Sequence, residues 1–228
     1  MLSRRLEAEE LMDDPALDAG AYHAVLHDLA KVNRATFAYR PTLDFLSRAI
    51  GARKSFRLLD VGFGDGDMLR RIARWTKRRG IACDLTGVDI NARSVAAAEA
   101  MTPGGAPIRY LPGDYADLAG EEFDLVISSL VAHHMSHDQL VAFLRFMDRE
   151  SRVGWFVNDL HRHGFAHASF PWLATAMGWH RIVRLDGTTS IARSYRPAEW
   201  PPILAEAGVE GARVRRRFPF RLCVEKIR

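Results

Sequence analysis

The chain has 228 residues, 48% hydrophobic and 26% charged, which fits one core with additions and excludes a disordered or collagen-like polypeptide. The net charge is only +4, so the basic pI of 9.3 is no nucleic-acid signal by itself. No apolar run approaches the ~18 residues of a membrane helix, and the start, MLSRRLEAEE, turns acidic where a signal peptide turns apolar. A soluble cytoplasmic protein without stable membrane insertion is expected, with a homodimer left open.

In chain order, residues from about 5 to 50 read as helices. Leu26, Leu29, Ala30, Asn33 and Phe37 fall at three- and four-residue spacing, and Pro41 opens a second helix carrying Leu43, Leu46 and Ile50. This predicts an N-terminal helical cap over 1–50, followed by the main domain over 51–228. From Arg57 the period changes. Apolar clusters at Leu58–Val61, Leu85–Val88, Ile108–Leu111, Phe123–Leu130 and Val153–Val157 predict strands, with helices near 66–79, 92–101 and 137–150 between most of them. That alternation is the signature of an α/β fold with a mostly parallel sheet and right-handed crossovers. Residues 160–190 form an aromatic-rich insertion, and 197–207 a helix ended by Gly208. The tail, Ala212–Phe218 then Phe220–Ile227, pivots at Pro219 as an antiparallel pair closing one sheet edge. The Arg213–Arg217 cluster reads as a solvated strand face. Cys83 and Cys223 carry no CxxC spacing and read as reduced and structural.

The strongest motif is Asp60-Val61-Gly62-Phe63-Gly64-Asp65-Gly66-Asp67, a strand running into three alternate glycines and then a helix. Missing Cβ atoms let a ligand approach the backbone, and the helix start offers free N–H donors. Asp89 ends the next predicted strand, where a carboxylate can accept from a ribose, and Asp114 ends the third. A dinucleotide site needs G-x-G-x-x-G around a pyrophosphate, whereas here Asp60, Asp65 and Asp67 would repel phosphate and suit a cationic ligand.

This pattern, D-x-G-x-G-x-G with acids after the second and third strands, resembles the class I S-adenosylmethionine-dependent methyltransferase family. The resemblance implies a Rossmann-like, seven-stranded fold with S-adenosylmethionine as cofactor and S-adenosylhomocysteine as product. It implies that Gly62 and Gly64 border the methionine part, with Asp60 supporting the loop and Gly66 a further cofactor-binding residue. It further implies that Asp89 holds the ribose, Ile90 packs on the adenine, Asp114 accepts from the adenine amino group beside Tyr115, and Ser128 and Ser129 sit where the transferable methyl is lined.

The fourth strand ends Ser128-Ser129-Leu130-Val131, without the Asn/Asp-Pro-Pro-aromatic motif of base-amine enzymes, and neither cysteine is placed to attack a cytosine. No nucleic-acid partner is expected. His133-His134 resembles the quinone-biosynthesis and natural-product branch of the family, in which a His pair follows this strand and can take a phenol proton. Asp159 and His161 follow as second-rank catalytic candidates. His161, His163 and His167 lack a carboxylate or thiolate partner at ligand spacing, so no metal is expected. The apolar side chains of 160–190, Trp172 among them, predict a lid over a flat hydrophobic acceptor. Residues 186–195 read as a surface loop from which Arg193 contacts the acceptor, and Asn33, Arg34, Tyr39 and Arg40 form the pocket roof. The expected reaction is O-methylation of a phenolic, polyketide-like or quinol compound, as in secondary metabolism. C-methylation of a quinol ring is the alternative, and protein or tRNA methylation a remoter one.

Overall fold

The computed structural model describes residues 2–14 and 16–228. Seven strands, β1 (Ser55–Val61), β2 (Ala82–Asp89), β3 (Ile108–Pro112), β4 (Phe123–Ser129), β5 (Ser151–Leu160), β6 (Arg213–Arg217) and β7 (Arg221–Ile227), form one sheet in the order β3-β2-β1-β4-β5-β7-β6. The first five are parallel, and β7 runs antiparallel to β5 and β6. The mostly parallel α/β sheet expected from the sequence is therefore present. The tail hairpin inserts β7 between β5 and β6, leaving β6 at the edge with Arg213, Arg215 and Arg216 exposed. A charged edge strand discourages pairing with other chains.

Alternation along the strands builds two cores, because successive side chains point to opposite faces. Leu58, Leu125, Ile127 and Phe156 pack with Phe45 and Leu46 of α2 (Arg40–Ile50), Leu69 and Ile72 of α3 (Asp67–Lys77) and Ala98 of α4 (Arg93–Met101). Leu59, Val126, Trp155 and Val157 pack on the other face with Phe143, Leu144 and Met147 of α5 (His137–Glu150) and Trp200 and Ile203 of α8 (Trp200–Glu206). Each such buried side chain contributes about 1.5–3 kcal/mol of transfer free energy. Reciprocal Ser136 and Gln139 capping starts α5, and Leu130, at φ 61, turns the chain out of the sheet after β4.

A third layer covers the carboxyl ends of the strands. It consists of α1 (Ala19–Ala35), α6 (Gly164–Ala176) and α7 (Arg181–Arg193), with Val25 packed on Ala174, Trp179 and Val183. Two sequence expectations change here. The helical reading of the first residues fails: before Ala19 the described chain holds only a 3-10 turn at Leu11–Asp13. This segment is instead strapped to α7, where Leu6 N–H donates to the Ala192 carbonyl at 3.1 Å. The Asp186 carboxylate accepts from Leu11 and Met12 N–H, both at 2.9 Å. Residues 186–193 are accordingly helix rather than surface loop, with Asp186, Ser190, Ile191 and Ala192 buried.

Within the insertion, the apolar face splits. Phe170 and Trp179 pack inward on α1, whereas Trp172 is 81% exposed and does not reach the cavity described below. Trp172→Ala is therefore expected to change stability by less than about 0.5 kcal/mol and to leave turnover unaltered, as thermal melts and steady-state rates would show.

Candidate active site

β1 is the strand from which the chain steps outward to β2 and β3 before returning to β4 on its other side, and open sheets bind ligands at such a switch point. A cavity of about 1010 Å³ opens there, running from the glycine loop under α1 to the ends of β5 and β7 and lined by Asp60, Gly62, Gly64, Asp89, Ile90, Asp114 and Tyr115 at its first end.

Gly62, Gly64 and Gly66 all have positive φ, 76°, 58° and 74°, a region costly for side-chain-bearing residues. A Cβ on Gly62 would run into Val131, whereas one on Gly64 would meet only Leu26 Cδ2 at 3.9 Å and project into the cavity. The loop is fixed by Asp89, whose two oxygens accept from Gly64 N–H and Asn91 N–H, each at 2.9 Å. A carboxylate offers about four acceptor sites, so Asp89 keeps capacity toward the cavity. Ile90, 85% exposed, is a free apolar wall. Asp114 caps the next 3-10 turn by accepting from Ala116 N–H at 2.9 Å, and Tyr115 rests on Phe143 and Phe146 at 4.9 and 4.8 Å.

The acidity of this end is narrower than the sequence implies. Asp65 pairs with Arg70 at 3.2 Å, and Asp67 is held by the Tyr39 hydroxyl, leaving Asp60 and Asp89. Asp60 is 2% exposed and its Oδ1 has no partner; burial, and then the Asp89 charge, pushes its carboxyl up to about 8. A buried orphan carboxyl oxygen beside an open glycine cradle fits a ligand with sulfonium and ammonium charges.

The fourth-strand serines divide. Ser128 is buried with its hydroxyl unpaired and lies outside the cavity lining, which Ser129 reaches instead. Strand alternation, invisible in a Ser-Ser pair, makes that choice.

His133 is 2% exposed and held on both sides. Asp159 Oδ1 lies 2.7 Å from its Nδ1, Asp159 Oδ2 accepts from its backbone N–H at 2.9 Å, and Glu10 Oε1 is 3.4 Å from Nε2. Burial opposes the charge on His133, but Asp159, then Glu10, outweigh it and push the imidazole up to about 9. Burial also opposes ionisation of Asp159, and His133 overcomes it, holding that carboxyl below the usual range. His133 is thus an imidazolium at neutral pH, locked between two carboxylates rather than free to accept a proton. The His134 ring lies tilted against it with centroids 4.2 Å apart, and its Nδ1 is 3.1 Å from Asp13 Oδ2. Ligand atoms of Glu10, His133 and His134 lie within 4.8 Å of one another; the cation that the structure itself brings there is Arg193, 3.8 Å from Glu10.

Arg193 therefore leaves its expected place on the acceptor. It does not line the cavity and donates to the His133 and His134 carbonyls, both at 3.3 Å, buttressing the turn from outside. Arg40 is likewise withdrawn, its guanidinium 4.2 Å over the exposed Phe37 ring. Asn33 and Tyr39 do line the roof.

His161 stands at the far end, where β5 stops. Its N–H donates to Phe220 at 2.9 Å, its ring lies 5.4 Å from His163, and it lines the cavity. Burial, with His163, Arg216, Arg196 and Arg162 nearby, lowers its pKa below 6.5, so it is a neutral base at physiological pH. Nothing in the sequence singled out Glu10, Asn158 or Arg221, which tertiary packing alone brings to this cavity.

The His133 charge has a stability signature. Its folded pKa is raised from 6.5 to about 9, so its contribution is fully present below pH 6.5 and is lost as pH rises through about 9. Urea midpoints should decline across that window, and His133→Gln should remove this part of the decline.

Residues 58–154 match the family model described as a methyltransferase domain. Solved structures share the fold. A SAM-dependent methyltransferase from Aquifex aeolicus matches with TM-score 0.62 and 17% identity over 92% of this chain and 97% of its own. Magnesium protoporphyrin IX methyltransferase from Synechocystis PCC 6803, with SAH bound, matches at 0.58 and 18% over 94% and 90%. Human N-acetylserotonin methyltransferase in complex with SAM matches at 0.67 and 16% over 98% of this chain, which spans 60% of that enzyme's length. No curated protein matches the sequence. No helix among the described residues is long and apolar enough to cross a membrane.

Proposed function

We propose that the enzyme methylates a hydroxyl of a small, hydrophobic aromatic acceptor, a phenolic, polyketide-like or quinol compound. The observation that carries this is the cavity of about 1010 Å³, lined from the glycine loop to His161 and bordered by residues of α1, α6 and α7. Such a deep, largely apolar space accepts a small molecule. Structural neighbours acting on N-acetylserotonin and magnesium protoporphyrin IX, by their names, are compatible with this class.

When bound, the cofactor supplies an electrophilic methyl on a sulfonium. In this reading Asp89 accepts from the ribose hydroxyls while keeping Gly64 in place. Asp60 offers its unpaired oxygen to the cationic end, Ile90 packs on the adenine, and Asp114 accepts from the adenine amino group, with Tyr115 beneath. The Glu10–His133–Asp159 assembly fixes the turn that walls the methyl-transfer zone. His161, neutral and facing the cavity, removes the acceptor proton, with His134 its nearest rival. Most of the rate enhancement comes from holding acceptor oxygen and methyl in line. The helical hairpin α6–α7 acts as the lid.

The test is a co-product assay: S-adenosylhomocysteine should accumulate with members of a phenol and quinol panel, and product NMR should show a methoxy signal. An aryl-methyl signal would replace O- by C-methylation. Salt-sensitive turnover on RNA alone, or none with any aromatic, would reject the reading.

A further inference from the structure

Arg221, the first residue of β7, is 2% exposed and lines the cavity. Its Nη2 donates to Asn33 Oδ1 at 3.2 Å, its Nη1 has no hydrogen-bond partner, and it forms no ion pair among the described residues. The buried carboxylate whose charge acts on it, Asp159, is committed to His133 and to Leu160 N–H. Taking an unpaired guanidinium out of water costs several kcal/mol, and the other buried cations are answered: Arg162 by Glu199, Arg70 by Asp65. A cavity wall with an uncompensated, forked donor is built for an anion that arrives with a ligand, and a carboxylate matches the fork.

Register says which ligand. Arg221 pairs with Leu160 of β5, and the order β1-β4-β5-β7 sets it three strand spacings, about 14 Å, from the strand bearing the glycine loop. The same corner holds His161, whose N–H is bound to the Phe220 carbonyl. We propose that Arg221 is the anion-binding residue of the acceptor pocket and that the natural acceptor is an aromatic acid, its carboxylate seated on Arg221 and its hydroxyl turned past His161 toward the glycine loop. This rests on the aromatic-acceptor reading above and narrows it.

The test uses calorimetry on the full chain loaded with S-adenosylhomocysteine, titrated with hydroxybenzoates and hydroxynaphthoates and with their methyl esters. In the wild type the acids should bind at least tenfold more tightly than the esters. Arg221→Gln should erase that preference to within twofold while leaving S-adenosylhomocysteine affinity unchanged. Arg221→Lys, which retains the charge and guards against misfolding of the first variant, should retain part of the preference. Acids and esters binding the wild type equally would overturn the anion site alone. If Arg221→Gln weakens S-adenosylhomocysteine but not 5′-methylthioadenosine, which lacks the amino-acid part, the residue holds the cofactor's carboxylate and the proposal is overturned. If neither acids nor esters bind, the aromatic-acceptor reading falls, and this site with it.

Discussion

Replacing Asp89 with Ala should weaken S-adenosylhomocysteine binding ten- to hundredfold, roughly 1.5–3 kcal/mol, because charge-assisted hydrogen bonds to ribose hydroxyls disappear. Two further losses add to this. Gly64 N–H and Asn91 N–H each give up a 2.9 Å bond to the carboxylate, so the loop that forms the cradle loosens. Burial raises the pKa of this carboxyl, which marks a charge held against desolvation. Asp89→Asn keeps one carbonyl oxygen for the backbone donors and should fall between wild type and Ala. Adenosine, which keeps the ribose and lacks the methionine, should lose affinity by the same factor, whereas a cofactor-loop distortion alone would spare it. An unchanged dissociation constant for both ligands in Asp89→Ala would remove Asp89 from the ribose.

The parts of this molecule that follow from local chemistry were readable in the sequence. The strand-to-glycine-loop junction at Asp60–Gly66, the acids ending β2 and β3, the α5 segment and the Pro219 pivot each rest on residues within a few positions of one another. What the sequence concealed depends on contacts across the chain. Glu10 meets Ser190 and His133 through a strap whose first residues carry no helical partner of their own. Arg193 and Arg40 are indistinguishable in composition from Arg221, and only the contacts of Arg193 with the His133 and His134 carbonyls and of Arg40 with the Phe37 ring turn the first two away, while the third lines the cavity. Trp172 and Phe170 lie two residues apart in α6, and helix geometry sends one to solvent and the other to the core. The adjacent histidines read as an equivalent pair, yet Asp159, 26 positions later, locks one of them.

That lock predicts how activity responds to pH. A base must be unprotonated to accept the acceptor's proton, and general-base help is typically worth 10²–10⁴-fold. If His133 filled this role, turnover would climb through pH 9, the value near which its imidazolium releases its proton. His161, lowered by burial and by its cationic neighbours, predicts a limb below pH 6.5 and a plateau above it until other groups titrate. His161→Gln should abolish the limb and reduce kcat by two orders of magnitude or more for a weakly acidic phenol, with S-adenosylhomocysteine affinity retained. The deficit should shrink for dinitrophenols, which are already ionised at neutral pH and need no base. His133→Gln should instead lower thermal stability and shift both KM and kcat by disturbing the turn between Asp159 and Glu10. A pH limb centred near 9 that vanishes in His133→Gln would return the base to the buried pair. A low-pH limb that survives His161→Gln and disappears in His134→Gln would place it on the second histidine, beside Asp13.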